Sequence, residues 1–148
     1  MSKINIEELA SYPFSVELEV RVGDLNYGAH LGYDRILGLA HQARIVLFDS
    51  LGVNEMDLGD GRTGIVAGDV AVTYLGEAFV SDPLLFEIKP VEVGRVGFRF
   101  AHRVVNKQTG NKVALIEIGF VGYDYRKRRP AGLPETFRNG LLALNGEQ

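Results

Sequence analysis

The segment Gly32–Leu51 constrains the fold more than any other part of the chain. At about 100° per residue, Ile36, Leu37, Leu39, Ala40, Ala43, Val46, Leu47, Phe48 and Leu51 share an apolar arc of roughly 200°. Asp34, Gly38, His41, Gln42, Ile45 and Asp49 fill the remaining stripe. A helix on a protein surface needs a narrower apolar face, so this one is expected to be covered by other elements on most of its sides. Gly52, just past the last periodic residue, is a natural stop.

The flanking sequence changes period. Phe14, Val16, Leu18, Val20 and Val22 point one way and Ser15, Glu17, Glu19 and Arg21 the other, the pattern of a strand with one wet face that ends at Gly23. After a Gly- and Asp-rich loop over residues 53–64 come four strand-like segments, Ile65–Leu75, Leu84–Val93, Arg95–Asn106 and Lys112–Asp124. Lys107–Asn111 reads as a hairpin turn, with Gly110 where a positive φ is needed. A helix over about Glu135–Leu144 closes the chain, with Pro134 suited to its first turn. Connections this short forbid parallel crossovers, so the order strand, long helix, four strands predicts an α+β fold with an antiparallel sheet. Neither a repeat nor a linker interrupts the 148 residues, and 1–148 reads as one domain.

Composition limits the task. A net charge of -3 argues against nucleic acid or a membrane surface as the main partner, since both attract basic proteins. The absence of cysteine removes disulfides, thiolate metal ligands, thiol nucleophiles and CxxC redox chemistry, and fits a reducing cytoplasm. Met1-Ser-Lys-Ile-Asn-Ile-Glu-Glu is too polar for a signal peptide, and no apolar tract has the length of a membrane span.

Several motifs fail on context. Gly59-Asp-Gly-Arg-Thr-Gly64 copies a dinucleotide fingerprint in letters, but a predicted strand follows where the phosphate-facing helix must stand. There is no Walker lysine and no GxSxG elbow. His30, His41 and His102 fall in separate elements without metal-ligand spacing, so no metal is expected. What remains is Gly23-Asp-Leu-Asn-Tyr-Gly-Ala-His-Leu-Gly-Tyr33, which packs a carboxylate, an amide, an imidazole and phenols between a strand end and a helix start. Amides at a helix start favour a carbonyl oxygen that is gaining negative charge, and a nearby carboxylate or imidazole activates water. On spacing alone, turn-stabilising roles for Asp24 and Asn26 and a packing role for His30 account for the segment equally well.

This strand–loop–helix opening resembles the 4-hydroxybenzoyl-CoA thioesterase branch of the hot-dog superfamily, which carries a D-x-D-x-x-G-H-like segment ahead of its helix. The matching residues are Asp24, Asn26 and Gly28-Ala-His30. Gln42-Ala-Arg44 with Leu51-Gly52, Tyr74, Asp82 and Leu133-Pro-Glu135 fall where relatives place similar residues. The likeness runs over essentially the whole chain. It implies an antiparallel sheet wrapped around one long central helix, an acyl-CoA or acyl-carrier-protein thioester hydrolase without cofactor or metal, and a homodimer or homotetramer with sites at the dimer interface. Asp24, Asn26 and His30 are the expected catalytic group; Gly32 and Tyr33, through their amides, and Asp69 are expected to bind substrate.

One departure bears on mechanism. Relatives place the catalytic carboxylate at the second acidic position, where this chain has Asn26, and an amide is neither a base nor a nucleophile at neutral pH. Asp24 taking over, Asn26 positioning a water for His30 or a partner's acid, and weak activity are the three readings. Asp69 draws interest because it interrupts an apolar strand, although a solvated edge position also explains it. Arg44, inside the apolar arc, needs partners, expected from a sheet carboxylate or at an interface. His102 is expected in the core or at an interface, and the run Arg126–Arg129 either is solvated or grips CoA phosphates. Two other functions remain open. A hot-dog enoyl-CoA hydratase shares Gly23-Asp-Leu-Asn26 but needs Pro at Tyr27 and its histidine one residue earlier than His30; a non-catalytic acyl-CoA-binding protein would explain Asn26.

Overall fold

The computed structural model describes residues 4–147; residues 1–3 and 148 of the expected 1–148 unit, including the first residues of the N-terminal lead, lie outside the described residues. The elements are β1 (Phe14–Glu19), α1 (Ile36–Ser50), β2 (Thr63–Tyr74), β3 (Pro83–Val91), β4 (Gly97–Asn106), β5 (Lys112–Asp124), β6 (Arg129–Pro130) and α2 (Glu135–Leu144). The strands form one antiparallel sheet in the order β1-β3-β4-β5-β2, with β6 pairing the end of β5. The α+β, antiparallel expectation is met, and all five predicted strands are present within a few residues of their expected ends.

One sheet face is apolar. Leu84, Phe86 and Ile88 of β3, Phe98, Phe100 and Val104 of β4 and Ile116 and Phe120 of β5 are buried in one core with Ile36, Leu39, Ala40, Ala43, Leu47 and Phe48 of α1. The Phe48 ring meets Phe100 edge-on at 6.1 Å and Phe137 of α2 at 5.5 Å, so both helices pack into the same aromatic cluster. The central helix is shorter than the Gly32–Leu51 segment expected, α1 running from Ile36 to Ser50, while the closing helix expected over Glu135–Leu144 is present as α2 and shares the core. Residues 33–35 form turns instead, with both Arg35 and Ile36 donating to the Gly32 carbonyl at 3.0 and 3.3 Å.

The outer face is polar and clipped by ion pairs. Arg103 on β4 reaches Glu87 of β3 (2.6 Å) and Glu8 of the N-terminal segment (2.9 Å), while Arg99 binds Asp69, Glu92 and Glu117. The strand alternation breaks at Val22, which is exposed because the chain curls into a 3-10 turn over Val22–Asp24. Gly64, the second residue of β2, is pressed against the loop before it: a Cβ there would strike the Glu55 carbonyl, so only glycine lets the strand pass. The segment Gly59–Gly64 is the glycine turn expected, organised by Asp57 and Asp60 carboxylates that accept from the backbone N–H groups of Gly59, Gly61, Arg62 and Thr63.

Candidate active site

The loop from β1 to α1 is closed on itself. Leu25 pairs with Leu31 in a short antiparallel bridge, and Asn26 N–H donates to the His30 carbonyl at 2.8 Å. Inside it the Asn26 Oδ1 accepts from Gly28 N–H (2.9 Å) and His30 N–H (3.3 Å), and its Nδ2 lies 3.4 Å from His30 Nδ1. Ala29 sits at φ +64, a left-handed conformation that a non-glycine residue adopts only where its surroundings hold it. The amide of Asn26 thus builds the loop and orients the imidazole.

A second segment seals the far side. Leu31 N–H donates to the Ala78 carbonyl at 2.7 Å, His30 pairs with Phe79, and Leu75 and Gly76 N–H both reach the Val113 carbonyl. Between the two lies a cavity of about 300 Å3 lined by Asn26, His30, Tyr33, Tyr74, Glu77 and the apolar side chains of Leu31, Ile36 and Val113, with Gly32, Gly76 and Ala78 completing it. The Tyr74 hydroxyl donates to the Tyr33 carbonyl at 2.5 Å; burial, with the negative charge of Asp34 adding to it, holds this phenol above its ordinary pKa, so it stays protonated.

The expected residues divide. Asn26, His30, Gly32 and Tyr33 line one cavity. Asp24 does not: it faces a separate surface depression with Arg21, Asp34 and Arg35. Its Oδ2 accepts from Arg21 N–H (2.8 Å) and Nε (3.2 Å), and its Oδ1 from Nη2 (3.1 Å). Burial, the largest influence, pushes this carboxyl up, but the Arg21 hydrogen bonds and the charges of Arg21 and Arg35 outweigh it, leaving the group below the usual range. Both carboxylate oxygens are thus taken up by Arg21. Gly32 also departs from expectation, because its N–H is already given to the Asp24 carbonyl at 2.9 Å. The amide expected at Tyr33 is free, and that of Asp34 joins it: neither makes a hydrogen bond among the described residues. Asp69 lies outside the site on β2, exposed, where its hydrogen bonds from Arg99 hold the carboxyl below its ordinary pKa. Arg44 finds its partner in the loop acid Glu55 (3.0 Å) instead of a sheet carboxylate, with its guanidinium 4.7 Å from the Phe120 ring centre. Among the described residues no group of three or more His, Asp or Glu side chains is arranged to hold a metal ion.

Asp24→Asn separates the two roles. Removing the charge while keeping the shape is expected to lower stability by about 1–2 kcal/mol, since Arg21 is largely exposed, and to leave turnover of the folded protein within a few-fold of wild type. Urea unfolding and steady-state rates on the same samples check it; a hundredfold rate loss at unchanged stability would return Asp24 to the chemistry.

Two residues lining the cavity were not reached from the pattern of the residues themselves. Tyr74 entered only through the resemblance, and Glu77 not at all, because an acid in Leu75-Gly-Glu-Ala78 looks like any charge in a turn. The Tyr-x-Gly-Glu spacing becomes informative only once the bridge to His30 and Leu31 is known.

Residues 20–141 match the sequence profile of the thioesterase-like superfamily. No curated protein matches the chain. Among solved structures, a thioesterase from Thermus thermophilus complexed with coenzyme A and zinc is 26% identical, covers 95% of this chain and 99% of its own, and superposes with a TM-score of 0.76. A 1,4-dihydroxy-2-naphthoyl-CoA thioesterase from Synechocystis is 16% identical over 89% of this chain and 97% of its own, with a TM-score of 0.80. A probable thioesterase from Escherichia coli is 21% identical over 86% and 95%, with a TM-score of 0.70.

Proposed function

The chain belongs to the thioesterase-like superfamily, and from that membership we propose that it hydrolyses acyl-CoA thioesters in the cavity ahead of α1. It is a thioesterase with the hot-dog fold of its structural neighbours, an antiparallel sheet whose apolar face carries α1. The observation that carries the assignment of the site is the free N–H of Tyr33, a residue that lines an otherwise largely apolar cavity together with His30. Such donors favour a thioester oxygen more as it becomes an oxyanion than in the ground state, which is what accelerates acyl transfer. His30, oriented by Asn26, stands where it meets the acyl carbonyl or the attacking water. Asp24 supports the site from behind by accepting Gly32 N–H on its carbonyl.

Coenzyme A as the carrier, rather than a carrier protein, is favoured by the 26% identical relative, which was crystallised with it. The cavity, about 300 Å3, suits an acyl group of short to medium length. We place the protein in the cytoplasm, on its cysteine-free composition, as a homodimer of 1–148 units with no cofactor. Strand β2 is the free edge of the sheet beside β5 and exposes Val66, Val70 and Tyr74, a surface suited to pairing with its own copy. The hydratase alternative needs Asp24 and His30 to face one substrate, and their side chains line different depressions.

The test is a panel of acyl-CoAs with a thiol reagent. Release of free thiol dependent on His30, falling at least tenfold in His30→Ala, is the expected result. No release from any acyl-CoA, or loss of crotonyl-CoA absorbance without thiol release, would sink the proposal.

A further inference from the structure

Resting on the thioesterase reading, we propose that Glu77 is the catalytic carboxylate of this site, the base that deprotonates the attacking water. The cavity demands an acid and Asn26 cannot be one: its Oδ1 accepts two backbone N–H groups and its Nδ2 faces His30. Asp24 is locked to Arg21 and turned toward another depression, and Asp34 lies in that same depression. Of the side chains lining the cavity, only Glu77 carries a carboxylate. It makes no hydrogen bond and no ion pair among the described residues, whereas Glu8, Glu17, Glu55, Glu87 and Glu117 are each held by a cation.

The backbone around Glu77 is held on both sides. Gly76 donates to the Val113 carbonyl and lies so close to β5 that a Cβ there would sit 2.9 Å from the Lys112 carbonyl oxygen. Ala78 accepts from Leu31 N–H at 2.7 Å, and Phe79 N–H is capped by Asp82 Oδ2 at 2.8 Å. The carboxylate is thereby carried on a pinned segment that lines the same cavity as His30 and Tyr33, whose amide is free just ahead of α1. A general base needs that combination: a fixed origin, an unpaired oxygen, and oxyanion donors on the other side of the reacting carbon.

The step balances without another reagent. A water oxygen bonds to the thioester carbonyl carbon while its proton passes to Glu77, and the carbonyl electron pair moves onto the oxygen facing Tyr33 N–H. The oxyanion then collapses, the C–S bond breaks, and the sulfur leaves with the proton returned by Glu77. The products are the carboxylic acid and the free thiol, with Glu77 restored.

Glu77→Gln and Glu77→Ala, each confirmed as folded by thermal melting, are compared with wild type on the acyl-CoA that wild type turns over fastest. The expected result is a kcat at least about 100-fold lower in both with KM within a few-fold, and partial rescue of Glu77→Ala by added formate, which a merely structural role would not show. Wild-type kcat in Glu77→Ala overturns the assignment while leaving the thioesterase reading intact. Loss of kcat in Asp34→Asn with Glu77→Ala unaffected would overturn it too, in favour of Asp34. Absence of wild-type turnover on every acyl-CoA would overturn both the parent reading and this one.

Discussion

Phe48→Ala is expected to remove about 3–5 kcal/mol of stability, moving the urea midpoint down by roughly 1–3 M. Phe48 is fully buried near the end of α1, and its ring is shared between the sheet, through Phe100, and the C-terminal helix, through Phe137. Phe98 extends the cluster by touching Phe100, Phe120 and Phe137 at ring distances of 5.0, 5.2 and 5.5 Å. Truncating the ring opens a void that close-packed neighbours fill only in part, so the lost burial and the cavity add. Phe48→Leu, which keeps most of the volume, should lose less than half as much. Equilibrium unfolding of the three proteins measures it, and a loss below about 1 kcal/mol for Phe48→Ala would mean that α1 is not anchored through this cluster.

How far the fold could be read in advance follows from which interactions are local. The period-two run from Phe14 predicts β1 because alternation is a property of consecutive residues. It misleads at Val22, since the parity of side chains is lost once the backbone curls at Val22–Asp24. The helix starts late because Gly32, Tyr33 and Asp34 carry no apolar position that would signal the boundary, and the first turn there is shaped by Gly32 accepting from both Arg35 and Ile36. The site divides along the same line. Asn26 and His30 lie in one loop and were legible together; the commitment of Asp24 was also local, because Arg21 three residues earlier satisfies it. By contrast Glu77 and Tyr74 reach the cavity through pairing of residues 78–79 with 30–31, and Arg44 meets a loop acid, Glu55; neither is encoded by spacing. A non-local contact leaves no period in the sequence, so the carboxylate that lines the cavity stayed hidden while the loop of Asn26 and His30 was visible.

His102 makes the fold sensitive to mild acid, and lowering the pH from 6.5 to 4 is expected to remove about 3 kcal/mol through this residue alone. The ring is 1% exposed on β4; its Nδ1 lies 3.1 Å from the Ile116 carbonyl and donates to it, while Nε2 has no partner among the described residues. Burial is the main cause of a pKa pushed down to about 4, opposed by the Ile116 carbonyl and reinforced by the charge of Arg44. The sign follows from proton counting. In the unfolded chain His102 takes its proton near 6.5, but the folded protein refuses it until about 4, so between those values the unfolded state binds more protons and stability falls with pH. Above 6.5 both states are neutral there and the full stability is present. The acids held below their ordinary range, among them Asp24, Asp60 and Asp124, lose their contributions only nearer or below 4, which separates the two effects. Urea unfolding at half-unit steps from pH 7 to 4 should show the decline in wild type and a flatter curve in His102→Leu, which keeps an apolar filling and has no proton to bind. Parallel curves for the two proteins across that window would show that the buried imidazole is not the titrating group.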